Sequence, residues 1–118
     1  APDLDNATNN RFVKDFKAKT GRYPTHYAAQ SYDAIMLIKS GVDAVNGDTS
    51  NQDGIRAGML KADFPSVRGK YRYGSNHFPI QNFYLRSVKK DAYGDWFVSH
   101  VSTVLSDHQD SYHGQCKL

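Results

Sequence analysis

Any chemistry in this chain would have to come from five histidines, one cysteine and a run of alternating cations and tyrosines. His26, His77, His100, His108 and His113 show none of the close spacings that tetrahedral zinc sites use, and Cys116 has no second cysteine with which to form a CxxC element. His108 and His113 lie near Asp107 and Asp110 in a polar tail, a set suited to adventitious metal rather than to a structural centre. A nucleophile built from Cys116 and His113 would need a rigid frame, which an irregular chain end does not provide. Residues 68–73 alternate basic and aromatic side chains and so imitate a platform for single-stranded nucleic acid. An amphipathic strand, with tyrosines inward and charges outward, explains the same pattern more simply. Neither GxGxxG nor GxxxxGK[ST] occurs. The expectation is a chain that is not an enzyme, uses no cofactor or metal, and does not bind nucleic acid.

Composition sets the frame for the elements. A chain of 118 residues is long enough for one cored domain and too short for two lobes. Its mean hydropathy of −0.67 is polar for a self-sufficient globule, while 13% aromatic residues argue against disorder. The net charge of +3 is spread over interspersed acids and bases, with no single-sign patch. The longest apolar run, Ala34-Ile35-Met36-Leu37-Ile38, falls far short of the ~20 residues that span a bilayer. No signal peptide opens the chain, and a mature or truncated chain would lack one, so targeting segments do not give the location. The lone Cys116 is either a free thiol or one whose partner lies elsewhere.

Three helices and three strands are expected. Residues 1–8 read as a loop. A first helix over about 10–20 carries Phe12, Val13 and Phe16 on one side, with Gly21 as its stop and Pro24 beyond it. A second helix carries Ala28, Ala29, Tyr32, Ile35, Met36, Ile38, Val42 and Val45 at three- and four-residue separations and ends before Asn46-Gly47. Gly41 inside it predicts a close packing contact. A third helix is predicted to begin near Ser50, with Ser50 and Asp53 as a capping box, to carry Ile55, Met59 and Leu60, and to stop at Phe64-Pro65. The period then changes. Val67, Gly69, Tyr71 and Tyr73 predict a strand, residues 74–77 a turn, and 83–89 with 96–105 a hairpin. From Ser106 onward the chain reads as irregular. Alone, this order describes a small α+β domain whose sheet is too thin for its broad helix faces. Such a sheet wants strands from a parent domain or from a second copy of the chain.

Four segments, in order, carry a resemblance: residues 9–24 (NNRFVKDFKAKTGRYP), 28–34 (AAQSYDA), 67–73 (VRGKYRY) and 79–85 (PIQNFYL). Together they resemble the carboxy-terminal portion of solute-binding proteins of ABC transporters, of the branched-chain amino-acid and aromatic-acid receptor type. The resemblance implies an α/β chain with a partial type I periplasmic-binding fold. Residues 1–80 would be the late segment of the first lobe. Residues 81–118 would be the hinge crossing, the β-hairpin and the tail of the second. It also implies a periplasmic location, a small carboxylate-bearing solute and the membrane subunits of an ABC permease as partners. The mechanism it implies is closure of two lobes about a hinge, favoured by ligand contacts to both. The oxidising compartment that the resemblance implies favours the second alternative for Cys116, a disulfide partner lost with the rest of the parent or supplied by another copy. Self-association of a chain this incomplete is expected from its broad apolar helix faces and short sheet. The rival expectation is an independent α+β module for an acidic partner.

By position in that resemblance, five residues are candidate ligand contacts. Tyr27 precedes the Tyr32-Asp33-Ala34 segment and either faces the cleft or packs internally. Gln30, one turn on, reaches the same space. Asn76, His77 and Gln81 flank the expected hinge, stiffened by Pro79, and either bind a ligand carboxylate or satisfy turn backbone.

Overall fold

Each helix begins where a side chain can satisfy its free N–H groups. The computed structural model describes residues 1–70 and 72–116. Helix α1 spans Ala7–Thr20, and the Asn6 Oδ1 atom accepts from the N–H groups of Thr8 and Asn9. Gly21 ends it at φ 73°, a left-handed conformation that glycine adopts without steric cost, and donates to the Lys17 carbonyl. Helix α2 spans His26–Ala44, with the Thr25 hydroxyl accepting from Ala28 N–H. Helix α3 spans Gln52–Leu60 and differs from expectation at both ends. Its cap is Asn51, which accepts from Gly54 N–H at 3.0 Å, because Ser50 instead turns its hydroxyl to Asp48 at 2.6 Å. It stops at Leu60, and Ala62 then takes a positive φ of 48° four residues short of Ser66.

Gly41 and Gly58 explain how α2 and α3 pack. A Cβ at Gly41 would lie 2.7 Å from Met59 Cγ and 2.8 Å from the Ile55 carbonyl, and one at Gly58 would lie 2.7 Å from Ala44 Cβ. The two backbones touch because neither position carries a side chain, as the mid-helix glycine predicts.

The sheet is antiparallel in the order β1–β2–β3, with β1 Arg72–Tyr73, β2 Pro79–Lys90 and β3 Trp96–His108. The hairpin is in place but longer than expected. β3 runs on to His108, which pairs with Gln81, and Asp107 N–H donates to Asn82 Oδ1. A short 3₁₀ turn at His113–Gln115 follows. The strand expected from residue 67 shrinks to two residues. Val67 and Gly69 belong to a loop, and Tyr71 lies outside the described residues. The reason is a tertiary bond. The Asp33 carboxylate on α2, 1% exposed, accepts from Ser66 Oγ (2.7 Å), Val67 N–H (3.0 Å) and Arg68 Nε (2.7 Å). Those bonds take up backbone and side-chain groups that a longer strand would have used.

Polar clips hold the layers together. Lys17 on α1 bridges Asp91 (3.2 Å) and Asp95 (2.9 Å) at the hairpin tip, and the Tyr23 hydroxyl donates to Asp91 at 3.0 Å. The Tyr23 ring meets Phe97 of β3 at 5.2 Å. At the start of the chain, Asn9 donates to the carbonyls of Ala1 and Leu4, while Asp3 accepts from Ser99 Oγ and His100 N–H. Among the described residues, the buried apolar side chains include Val67, 1% exposed, and Ile80, 7% exposed. No helix among them is long and apolar enough to cross a membrane.

Two consequences are measurable. Asp33→Ala leaves a half-buried guanidinium edge and a buried amide and hydroxyl without their acceptor. It should cost about 3–5 kcal/mol of stability, seen as a lower urea midpoint. The second concerns acid. Burial opposes ionisation of Asp91, but N–H donation from Asp95 and Tyr93, the Tyr23 hydroxyl and Lys17 outweigh it and hold the carboxyl at about 2, below its ordinary 3.8. A depressed carboxyl stabilises the fold above its unfolded pKa and loses that contribution as pH falls through the folded value. Stability should therefore drop between about pH 4 and pH 2, and Asp91→Asn should flatten that part of a urea-midpoint-against-pH curve.

Candidate functional site

A cavity of about 580 Å³ lies between the helical layer and the hairpin, a size that suits a small organic ligand. The helical side contributes Phe12, the buried Pro24 with Tyr23 and Thr25, and the first turns of α2 with His26, Tyr27 and Gln30. The hairpin side contributes Gln81, Phe83, Tyr84 and Arg86 from β2 and Trp96, Phe97 and Val98 from β3. Val67 and Arg68 close one wall.

Local structure explains these positions. The Thr25 cap starts α2 so that its first turn opens on the cavity, where the rings of His26 and Tyr27 stack at 4.0 Å. Asp33 holds the 66–68 loop, and the Tyr84 hydroxyl donates to the Arg68 carbonyl at 3.3 Å, tying that wall to β2. Arg86 stands opposite His100 across the hairpin, beside a register shift between Leu85 and Arg86. No carboxylate lies within ion-pair distance of Arg86 among the described residues.

The chemical character is aromatic and cationic. Phe12, Tyr23 and Tyr27 face the space from one side and Phe83, Tyr84, Trp96 and Phe97 from the other, with Arg68, Arg86 and His26 among them. Among the described residues, no aspartate or glutamate lines it. With Arg68 already paired to Asp33, such a lining receives an anion through Arg86 and a flat apolar body through the rings. No group of three or more His, Cys or Asp side chains is placed to hold a metal ion among the described residues.

Of the five residues picked out from sequence, the fold brings three together: Tyr27, Gln30 and Gln81 line the cavity. Tyr27 is 70% exposed, so it faces open space. Asn76 and His77 sit in the β1–β2 turn and do not line it. Asn76 is buried there, donating to Asp110 Oδ2 at 2.7 Å and accepting from Phe78 N–H at 3.2 Å, the turn-satisfying role. His77 is exposed, at φ 59°. Sequence reasoning passed over Arg68, Arg86 and Trp96. Arg68 reads there as one charge of an amphipathic strand, and Arg86 and Trp96 only as positions within the predicted hairpin strands. Arg86, set directly after the apolar run Phe83-Tyr84-Leu85, was the available cue.

Comparison with known proteins agrees with this geometry. The family described as periplasmic binding protein matches residues 1–93. Among solved structures, a solute-binding protein of an ABC transporter from R. palustris, in complex with benzoate, shares 39% identity with a TM-score of 0.84. The match covers 98% of this chain and 31% of that one, so the chain spans about a third of the length of this relative. No curated protein sequence matches significantly. The open antiparallel sheet and its three helices correspond to part of the type I periplasmic-binding fold. A family match over most of the chain, joined to a shared backbone over nearly all of it, shows that this chain belongs to the periplasmic binding proteins, the solute-binding components of ABC transporters.

Proposed function

We propose that the chain forms part of an extracytoplasmic receptor for a small aromatic carboxylate, which it delivers unchanged to an ABC permease. The family match supports the periplasmic location and the permease partner in this reading. The lobe crossing is assigned to the start of β2, at residues 79–81, so that the functional boundary falls within a strand rather than in a loop.

The choice between a branched-chain amino acid and an aromatic acid rests on the cavity lining. An amino acid brings an ammonium group that, out of water, needs a carboxylate or several acceptors. An aromatic acid brings only an anion and a ring. Rings on both walls, arginines between them and no lining carboxylate among the described residues fit the second chemistry. The relative's benzoate complex is in keeping with that reading. In this scheme Arg86 holds the ligand carboxylate, Tyr27, Phe83 and Trp96 pack its ring, and Gln30 and Gln81 donate to its oxygens.

Trp96 is the sole tryptophan and lines the cavity, so its emission reports occupancy. Benzoate should change that emission saturably, and leucine should not. Arg86→Gln should weaken benzoate binding by about tenfold or more, the loss expected for one charge-assisted hydrogen bond. Leucine binding as tightly as benzoate, or an R86Q variant with undiminished affinity, would exclude the aromatic-carboxylate assignment.

A further inference from the structure

The two oxygens of the Asp91 carboxylate divide between shaping the hairpin tip and anchoring it. Oδ1 accepts from Tyr93 N–H at 2.8 Å and from Asp95 N–H at 2.9 Å, which closes the turn on itself. Oδ2 accepts from Lys17 Nζ on α1 at 3.2 Å and from the Tyr23 hydroxyl at 3.0 Å. Lys17 also pairs with Asp95 at 2.9 Å, and its ammonium lies 4.0 Å from the centre of the Tyr23 ring. That ring in turn meets Phe97 at 5.2 Å. Tyr23, Trp96 and Phe97 line the cavity, whereas Lys17, Asp91 and Asp95 stand behind it.

We propose that Lys17 is a positioning residue for the solute site: by clamping the hairpin tip to α1 it fixes the spacing of the two aromatic walls, and so governs solute affinity. The proposal deepens the aromatic-carboxylate reading and rests on it. Two observations carry it. The first is where the clamp falls on β3. The cavity-lining stretch Trp96, Phe97 and Val98 lies between two anchors. On one side Asp3 accepts from Ser99 Oγ and His100 N–H, and on the other Lys17 holds Asp91 and Asp95. Without Lys17 that stretch is held from one end alone.

The second observation is Tyr23. Its hydroxyl goes to Asp91, the Lys17 ammonium approaches its ring, and Phe97 packs against it. Three contacts thus set one rotamer of a cavity-lining ring, and two of them pass through the clamp. A binding wall needs its groups held within about 0.5 Å by supporting contacts of this kind. Exposed ion pairs contribute little to stability. Here the Lys17 and Asp91 side chains are 31% and 14% exposed, and the consequence of their pairing lies in the position it fixes. Every contact in the clamp is made between residues of this chain.

The test is benzoate titration followed by Trp96 emission, with Lys17→Met and Lys17→Arg beside the wild type. Lys17→Met keeps the length of the side chain and loses its charge. It should weaken benzoate about tenfold or more, while Lys17→Arg, still able to reach both carboxylates, should stay within about threefold of wild type. The gap between wild type and Lys17→Met should narrow in about 1 M salt, where the screening length falls to about 3 Å. A contact that only stabilises the fold would lower the urea midpoint and leave affinity alone. Undiminished benzoate affinity in a folded Lys17→Met chain therefore overturns the proposal. Should that variant not fold, Asp95→Asn removes one ion pair and leaves the Asp91 turn bonds in place. It should weaken benzoate about threefold, and wild-type affinity there overturns the proposal equally. Amide exchange of residues 91–98 without ligand separates the clamp from the solute reading. Exchange about tenfold faster in Lys17→Met supports the clamp, even if the wild type ignores benzoate and the aromatic-carboxylate reading falls. Equal rates in the two chains overturn it whatever the solute.

Discussion

The arrangement of this molecule turns on the Asp33 carboxylate. Burying a charge is costly unless donors replace the water it loses, and here three donors from one short loop do so: Ser66 Oγ, Val67 N–H and Arg68 Nε. Satisfying that carboxylate fixes the loop against α2. The loop brings Val67 into the interior, sets Arg68 in the wall of the cavity, and presents its carbonyl to Tyr84 of β2. Helix, loop, cavity and sheet are therefore linked through a single side chain.

That dependence reflects how little apolar burial the chain has. A radius of gyration of 16.3 Å exceeds the about 13.5 Å typical of a domain this long. The extents of 48 × 34 × 18 Å describe a slab. Apolar packing is confined to short seams, such as the glycine contact of α2 with α3 and the Phe12–Tyr32 ring pair at 5.0 Å. Elsewhere the layers are joined by directed polar contacts: Lys17 to the hairpin tip, Asp3 to β3, Asn9 to the opening loop. Directed bonds hold geometry over gaps that dispersion cannot bridge, and so a cavity survives between layers that a larger core would have closed.

The composition of that cavity follows from the same geometry. Strand alternation sends successive hairpin side chains to opposite faces, and a register shift beside Arg86 changes which residues lie opposite each other. Aromatic residues that would be core in a thicker domain here border open space. Their rings, with the guanidinium groups between them, make a surface suited to a flat anion.

The sequence alone determined the local structure. The Phe12/Phe16 spacing, Gly21, the long apolar band of α2, Gly41 and the change of period after Pro65 mark elements through short-range geometry, and the order of four segments marked the family. Tyr27, Gln30 and Gln81, picked out by their position in the family resemblance, line the cavity. Tertiary structure decided what depends on distant partners. Asp33 looks like an ordinary helix residue until it meets residues 66–68, some thirty positions on. The same bonds ended the expected strand and turned Arg68 from strand surface to cavity wall. Competition between Ser50 and Asn51 for the α3 cap was settled by where Asp48 sits. Asn76 went to turn chemistry because Asp110 waits beside it. Helix and strand periods are read from neighbours along the chain, whereas a buried charge finds its donors only when the chain folds back on itself.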